Sequence, residues 1–204
     1  MPILDIAPDA TLSVWPNEGE IVVVDLEYTA WEQSLSRGWG EPWEWREIVH
    51  VGALLVEARG FAHMEAYEAF VKPIRNPLLS DYFQTLTGIR QSDVDEHGLD
   101  FQQMIIELGD FFDKGDIAIF NGSDGEVLAE NCAFHHIDAP FIRPKMFNFR
   151  PLLSTSLGCS SSELTSSGLP SLAGIKLDLR KHSALDDCFA IAASLAHWRS
   201  VGLV

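Results

Sequence analysis

Long apolar runs, positive charge and cysteine are what this 204-residue chain has least of. No window approaches the roughly 18 unbroken apolar residues of a membrane-spanning helix, so no membrane partner is expected. Cysteine is limited to Cys132, Cys159 and Cys188. Three scattered thiols give neither a disulfide framework nor a zinc-binding spacing, and they fit a reducing, cytoplasmic setting. The first ten residues carry Asp5 and Asp9 but nothing basic, so no secretory leader is expected. Lys and Arg number 14 against 30 Asp and Glu, a formal net charge of −16. A protein built to hold long duplex nucleic acid shows the opposite balance, because phosphate neutralisation drives that affinity.

The apolar share of 47% is ordinary for a soluble globular protein. The length suits one well-filled α/β domain, residues 1–204 with a core of about 20–200. Charge is unevenly spread. From Arg143 onward the basic residues are Arg143, Lys145, Arg150, Lys176, Arg180, Lys181 and Arg199, against Glu163, Asp178, Asp186 and Asp187. The acidic excess therefore lies in the first two-thirds of the chain.

The β-branched run from Glu20 to Glu27 reads as a strand covered on both faces. Residues 47–57 and 64–71 read as two more strands, the first preceded by a Trp-rich loop, Trp31 to Trp45. Helices are expected over 78–86, with Ser80 a candidate N-cap, and over 100–112, where Phe101, Ile105, Leu108 and Phe112 recur at helical spacing. Residues 116–121 form a fourth strand, 124–135 a helix and 145–149 a fifth strand. The Ser- and Gly-rich stretch 160–170 reads as a loop or short helix, and a helix runs from about Ala184 to Trp198. Three strands with tight links favour antiparallel pairing, and later strands separated by helices favour parallel crossovers. The fold class is thus α/β: a mixed five-stranded sheet with helices on both faces.

Three places along this framework carry chemistry. Asp25 and Glu27, two apart on a strand, project from one face. Two like charges buried side by side are costly unless a cation lies between them. Asp124 follows a strand and opens a helix, at the strand end where α/β sheets gather ligands. Ser183 and Asp186 have the spacing of a capping box, which would start a helix at Ser183. That leaves His182 on the preceding loop and Asp187 in the first turn, although spacing alone does not separate Asp187 from Asp186. Taken singly, each has an ordinary alternative: a solvated strand end, a helix cap, a surface histidine. Cys132, His135 and His136 suggest the end of a surface helix rather than a metal site.

With these residues the chain resembles the DEDDh 3′→5′ exonuclease superfamily, named for four acids and a histidine. Val24-Asp25-Leu26-Glu27 matches the first motif, Asp124 with Leu128 the second, and His182 with Asp187 the third. Phe70-Val71-Lys72-Pro73, residues 77–80, residues 86–95 and the run from Ser183 to Ala192 resemble the branch holding the RNAi-linked and histone-mRNA 3′-end exonucleases and their bacterial relatives. The chain departs from that branch at Phe120 to Ser123, at Leu179-Arg180-Lys181, and in its longer Trp-rich loop. The resemblance implies a ribonuclease-H-like fold and two Mg²⁺ or Mn²⁺ ions held by Asp25, Glu27, Asp124 and Asp187. It also implies His182 as general base and release of nucleoside 5′-monophosphates from RNA or single-stranded DNA. The partner would be a single-stranded or short nucleic acid with a free 3′ end. Thr87, Gly88 and Ile89 would lie near the 3′-terminal nucleotide, and Trp31 is a candidate for stacking on a base.

Two other readings compete. Asp25-Leu26-Glu27-Tyr28-Thr29 approaches the D-x-D-x-T of haloacid-dehalogenase-type phosphatases, with Lys176 and Asp186-Asp187 as the remaining groups. A nuclease-like fold kept as a catalytically silent protein-binding module is the other.

Overall fold

A computed structural model describes residues 11–137 and 145–204; the first ten residues and Arg143 lie outside them. Five strands form one sheet: β1 (Glu20–Tyr28), β2 (Ile48–Glu57), β3 (His63–Phe70), β4 (Ile117–Phe120) and β5 (Lys145–Asn148), in the order β3-β2-β1-β4-β5. β1 pairs antiparallel with β2, and β2 with β3, whereas β1–β4 and β4–β5 are parallel. This is the expected mixed sheet.

The helices are α1 (Ser34–Arg37), α2 (Asp81–Thr87), α3 (Gln91–His97), α4 (Phe101–Phe112), α5 (Asp124–His135), α6 (Arg150–Leu157), α7 (Leu169–Leu172) and α8 (Ala184–Ser200). Ser80 caps α2 as expected, its hydroxyl accepting from the Phe83 N–H, and the Asp100 carboxylate caps α4. The residues 160–170 hold two 3₁₀ turns and the start of α7. Three helices went unread in the sequence. α1 is a single turn inside the Trp-rich loop. α3 is a short, mostly polar helix that buries only Val94. α6 follows β5 directly, with Pro151 in its first turn, where a proline is tolerated.

Two apolar layers flank the sheet. Val22, Val24 and Leu26 of β1 pack with α4 and α5, whereas Ile21 and Val23 pack with α6, α7 and α8. Strand alternation therefore puts Asp25 and Glu27 on the α8 side, continuing the row begun by Ile21 and Val23. The N-terminus of α8 lies directly on β2: a side-chain carbon added to Gly52 would sit 2.3 Å from the backbone of Ala184 and Leu185. Gly52 is the register partner of Asp25. The glycine thus lets the helix start touch the sheet beside the first acid.

Replacing Gly52 with Ala forces α8 off the sheet. We expect a destabilisation of about 2 kcal/mol or more, from the cost of overpacking, seen as a lowered midpoint in thermal or urea melts. An unchanged midpoint would mean that α8 does not depend on this close approach.

Candidate metal-dependent active site

The acids expected to converge do so. Asp25, Asp124 and Asp187 are all buried, and Glu27 is half-buried. Ligand atoms of Glu27, His182 and Asp187 all lie within 4.8 Å of one another, close enough to surround a single cation. Each acid arrives on a different part of the framework: Asp25 and Glu27 on β1, Asp124 as the first residue of α5 after β4, and Asp187 in the first turn of α8.

The cluster is electrostatically frustrated without a cation. Burial first, then the charges of Asp124, Glu27 and Asp187, hold the Asp25 carboxyl well above its ordinary range. Burial and the neighbouring carboxylates push Glu27 up to about 8. Asp124 is raised to about 7, mainly by burial, with Arg150 opposing the shift. Asp187 is likewise raised to about 7 by burial, opposed by the His182 backbone N–H. Such a cavity of hard oxygen donors suits Mg²⁺ or Mn²⁺, whose charge would relieve the repulsion. At Asp25 the relief from the protein itself is modest: the Ser166 hydroxyl donates to its Oδ1 at 3.0 Å.

His182 sits just before α8 in a left-handed conformation, φ 58°, uncommon for a residue with a side chain. Burial and the charge of Lys181 lower its pKa below the ordinary histidine value, which leaves the ring neutral near pH 7 and able to accept a proton. Asp186, the alternative to Asp187, is turned away and accepts from the Arg180 backbone N–H at 3.1 Å.

The expected capping box at Ser183 is absent. The Ser183 side chain makes no capping bond. The Ala184 N–H instead donates to Nδ1 of buried His50 at 3.3 Å. An accepting Nδ1 places the ring proton on Nε2, which lies 3.0 Å from Glu68 Oε1. The ring also stacks on Phe70, centroids 4.8 Å apart. A buried imidazole from β2 thus satisfies a first-turn N–H of α8, because it reaches the helix end from the sheet below. His50 escaped the sequence reading, although it shares the α8-facing parity of Gly52, Leu54 and Val56.

Arg150 also went unread. Its guanidinium donates to the Asn121 carbonyl and Oδ1 at 2.8 Å each, beneath Gly122, where any side chain would strike it. It brings positive charge to Asp124 and Asp25 from the start of α6. Its position just beyond the carboxyl end of β5 was the available signal.

The other expected residues are placed as follows. Thr87 and Ile89 are buried; the Thr87 hydroxyl donates to the Phe83 carbonyl and accepts from the Ile89 N–H. Ile89 packs with Val49 and Phe83, so Gly88, with φ 72°, is the member of this turn exposed to solvent. Trp31 is half-buried at the start of its loop and belongs to none of the described core clusters. Cys132 is buried, His135 stacks on Phe101 at 4.4 Å, and His136 ends α5. Those three form no metal-ligating group among the described residues.

Residues 22–195 match a family model described as Exonuclease, RNase_T. The chain belongs to this exonuclease family. Among curated relatives, the family member here is 34% identical over 94 residues to the 3′-5′ exonuclease eri1 of Schizosaccharomyces pombe, covering 46% of this chain and 29% of that protein. It is 28% identical over 123 residues to the probable 3′-5′ exonuclease KapD of Bacillus subtilis, covering 59% and 57%. The match thus spans well under two-thirds of either relative. Among solved structures, the nuclease domain of 3′hExo, described as a DEDDh family member bound to rAMP, superposes with a TM-score of 0.77 at 24% identity, covering 91% of this chain and 94% of that one. A 3′-exonuclease solved for recognition of the histone mRNA stem-loop superposes with a TM-score of 0.79 at 22% identity, covering 96% and 66%. These likenesses fix the fold of this exonuclease-family chain as ribonuclease-H-like.

Raised carboxyl pKa values carry a defined sign. The folded state holds protons that the unfolded state releases near pH 4, so each rise in pH from there to about 8 destabilises the metal-free fold. The melting temperature in EDTA is expected to fall across that window, and Mn²⁺ to raise it more at pH 8 than at pH 5. A pH-independent response to Mn²⁺ would speak against cation binding at these acids.

Removing the acceptor at position 50 should loosen the start of α8. His50→Leu is expected to cut turnover at least tenfold, the order of one lost buried hydrogen bond in the catalytic frame. His50→Asn, which keeps an oxygen in the place of Nδ1, should retain most of it. Equal activity in the two variants would remove His50 from this role.

Proposed function

We propose that this protein is a metal-dependent 3′→5′ exonuclease releasing nucleoside 5′-monophosphates from RNA or single-stranded DNA in a cytoplasmic setting. The observation that carries the proposal is the meeting of Asp25, Glu27, Asp124 and Asp187 near His182, four acids whose pKa values burial and neighbouring charge hold above the ordinary range. Membership of the exonuclease family, and relatives named as 3′-5′ exonucleases, support the same reading.

Two Mg²⁺ or Mn²⁺ ions held by the four acids would supply the positive charge that acidifies the attacking water and stabilises the leaving oxygen. The chain's own groups do the rest. Asp25 and Glu27, fixed by β1, and Asp187, fixed by α8, set where the scissile phosphate must lie. His182, neutral and half-buried, takes a proton from the water as its oxygen bonds to phosphorus. The bond from phosphorus to the 3′ oxygen of the upstream nucleotide breaks, and that oxygen leaves as a 3′-hydroxyl after gaining a proton from solvent. Arg150, anchored on Asn121, tempers the charge around Asp124 without joining the cage. The turn at Thr87, Gly88 and Ile89 and the half-buried Trp31 remain candidates for holding the terminal nucleotide. The phosphatase reading leaves His182 without a task, and its acidic pair is split here, with Asp186 spent on the Arg180 backbone.

The deciding experiment is digestion of end-labelled single-stranded RNA and DNA of matched sequence with Mg²⁺, with Mn²⁺ and with EDTA. A ladder shortening from the 3′ end, abolished by EDTA, is expected. Asp187→Ala should be inactive and Asp186→Ala close to wild type; the reverse pattern would overturn the assignment. His182→Ala should lose about 10²- to 10⁴-fold in rate while still binding Mn²⁺ in calorimetry. Asp25→Asn should melt higher than wild type in EDTA at pH 8 and yet be inactive, because it removes a buried group that is costly to ionise along with a metal donor.

A further inference from the structure

A cleft of about 320 Å³ opens between α7, the segment 175–181 and the first turns of α8. Asp187, one of the proposed metal acids, forms part of its wall, so the cleft runs into the catalytic cluster. Pro170, Ile175, Leu179 and Ala190 give it apolar surface, while Lys176, Arg180 and Lys181 add three cations. Among the described residues none of the three has a carboxylate within ion-pairing distance. Arg37, Arg46 and Lys114, by contrast, each pair with a glutamate. The segment is held in place: the Arg180 N–H is tied to Asp186 on α8, and the Ile175 N–H donates to the Pro170 carbonyl at 2.9 Å.

A chain with a net charge of −16 places three unpaired cations together beside its acid cluster. Apolar surface between cations fits a ligand of alternating character, with apolar sugar and base faces between anionic linkages. Residues 175–180 form no helix or strand, and from Lys176 to Arg180 such backbone spans at most about 14 Å. Within that reach Lys176 and Arg180, four residues apart on the cleft wall, offer two separate cationic positions. A free mononucleotide offers a single phosphate and would engage one end. Resting on the exonuclease reading above, we propose that this cleft binds the single strand 5′ of the bond being cut. Lys176, Arg180 and Lys181 contact successive phosphates, and the 3′ end lies at the acids.

Lys176 gives the cleanest test, because Arg180 and Lys181 also bear on Glu27 and His182 electrostatically. Wild type and Lys176→Glu are compared on a single-stranded dodecamer and on a dinucleotide with Mn²⁺. In parallel, binding of the labelled dodecamer is read by fluorescence anisotropy in Ca²⁺. The charge reversal should raise the dodecamer KM and Kd about tenfold, the order expected when phosphate contacts are lost. Its loss in kcat/KM on the dodecamer should exceed its loss on the dinucleotide about tenfold. The triple variant K176A/R180A/K181A should flatten the dependence of log Kd on log salt by about 2, the slope for three phosphates on a single strand. Equal KM on the dodecamer for wild type and Lys176→Glu would overturn the groove, as would an equal loss on both lengths. Wild type that binds the dodecamer in a Lys176-dependent way but cuts neither substrate would sink the exonuclease reading and leave the groove standing.

Discussion

The structure turns on a repulsion that the fold itself creates. The α8-facing row of β1 begins with Ile21 and Val23, buried against the helices, and continues into Asp25 and Glu27. α5 and α8 then deliver Asp124 and Asp187 to the same place. Carboxylates removed from water and crowded together pay both a desolvation and a Coulomb penalty, which is why all four pKa values rise. A protein selected for stability alone would place apolar or amide side chains here. Four acids retained here imply that the charge is used, and a bound divalent cation would turn the penalty into affinity.

The placement of α8 decides whether that cage closes, and it is set from the neighbouring strand. In the β1–β2 register Asp25 faces Gly52 and Glu27 faces His50. Gly52 admits the backbone of Ala184 and Leu185, and His50 accepts the Ala184 N–H. Asp25 and Glu27 therefore each have, as partner on β2, a residue that meets the start of α8. Cys188, one turn on, points its thiol at the carbonyls of Val23 and Gly52 at 3.5 and 3.3 Å. A register slip between the two strands would separate Asp187 and His182 from Asp25 and Glu27, so sheet pairing and site geometry are the same constraint.

How far the site could be read in the sequence follows from which interactions are local. Strand alternation is a local rule, and it correctly put Asp25 and Glu27 side by side. The position of Asp124 after an apolar strand is equally local. The start of α8 was legible, since Ser183 does precede its first residue. The capping partner was not, because an imidazole 134 residues away in sequence supplies the acceptor. Arg150 reaches Asn121 across 29 residues, and no spacing rule marks such a pair. α3 escaped because its polar sequence offers one buried side chain, Val94, instead of an apolar stripe. Local patterns located the acids; the groups that orient them came from tertiary packing.

Charge distribution reconciles an acidic protein with a polyanionic substrate. Beyond a Debye length of about 8 Å at physiological salt, the net charge is largely screened from an approaching strand. Close in, the local arrangement governs, and the last third of the chain supplies it: Lys176, Arg180 and Lys181 lead to the acids, where bound cations would reverse the sign of the field. Elsewhere the net charge of −16 disfavours phosphate. On the proposed reading, a strand gains most where its terminus meets the metals and its next linkages meet the segment before His182. Contacts along the interior of a long molecule add nothing. On that reading an acidic body with a basic approach at its acid cluster would favour engagement of ends, the selectivity an exonuclease requires, by repulsion elsewhere as much as by attraction there.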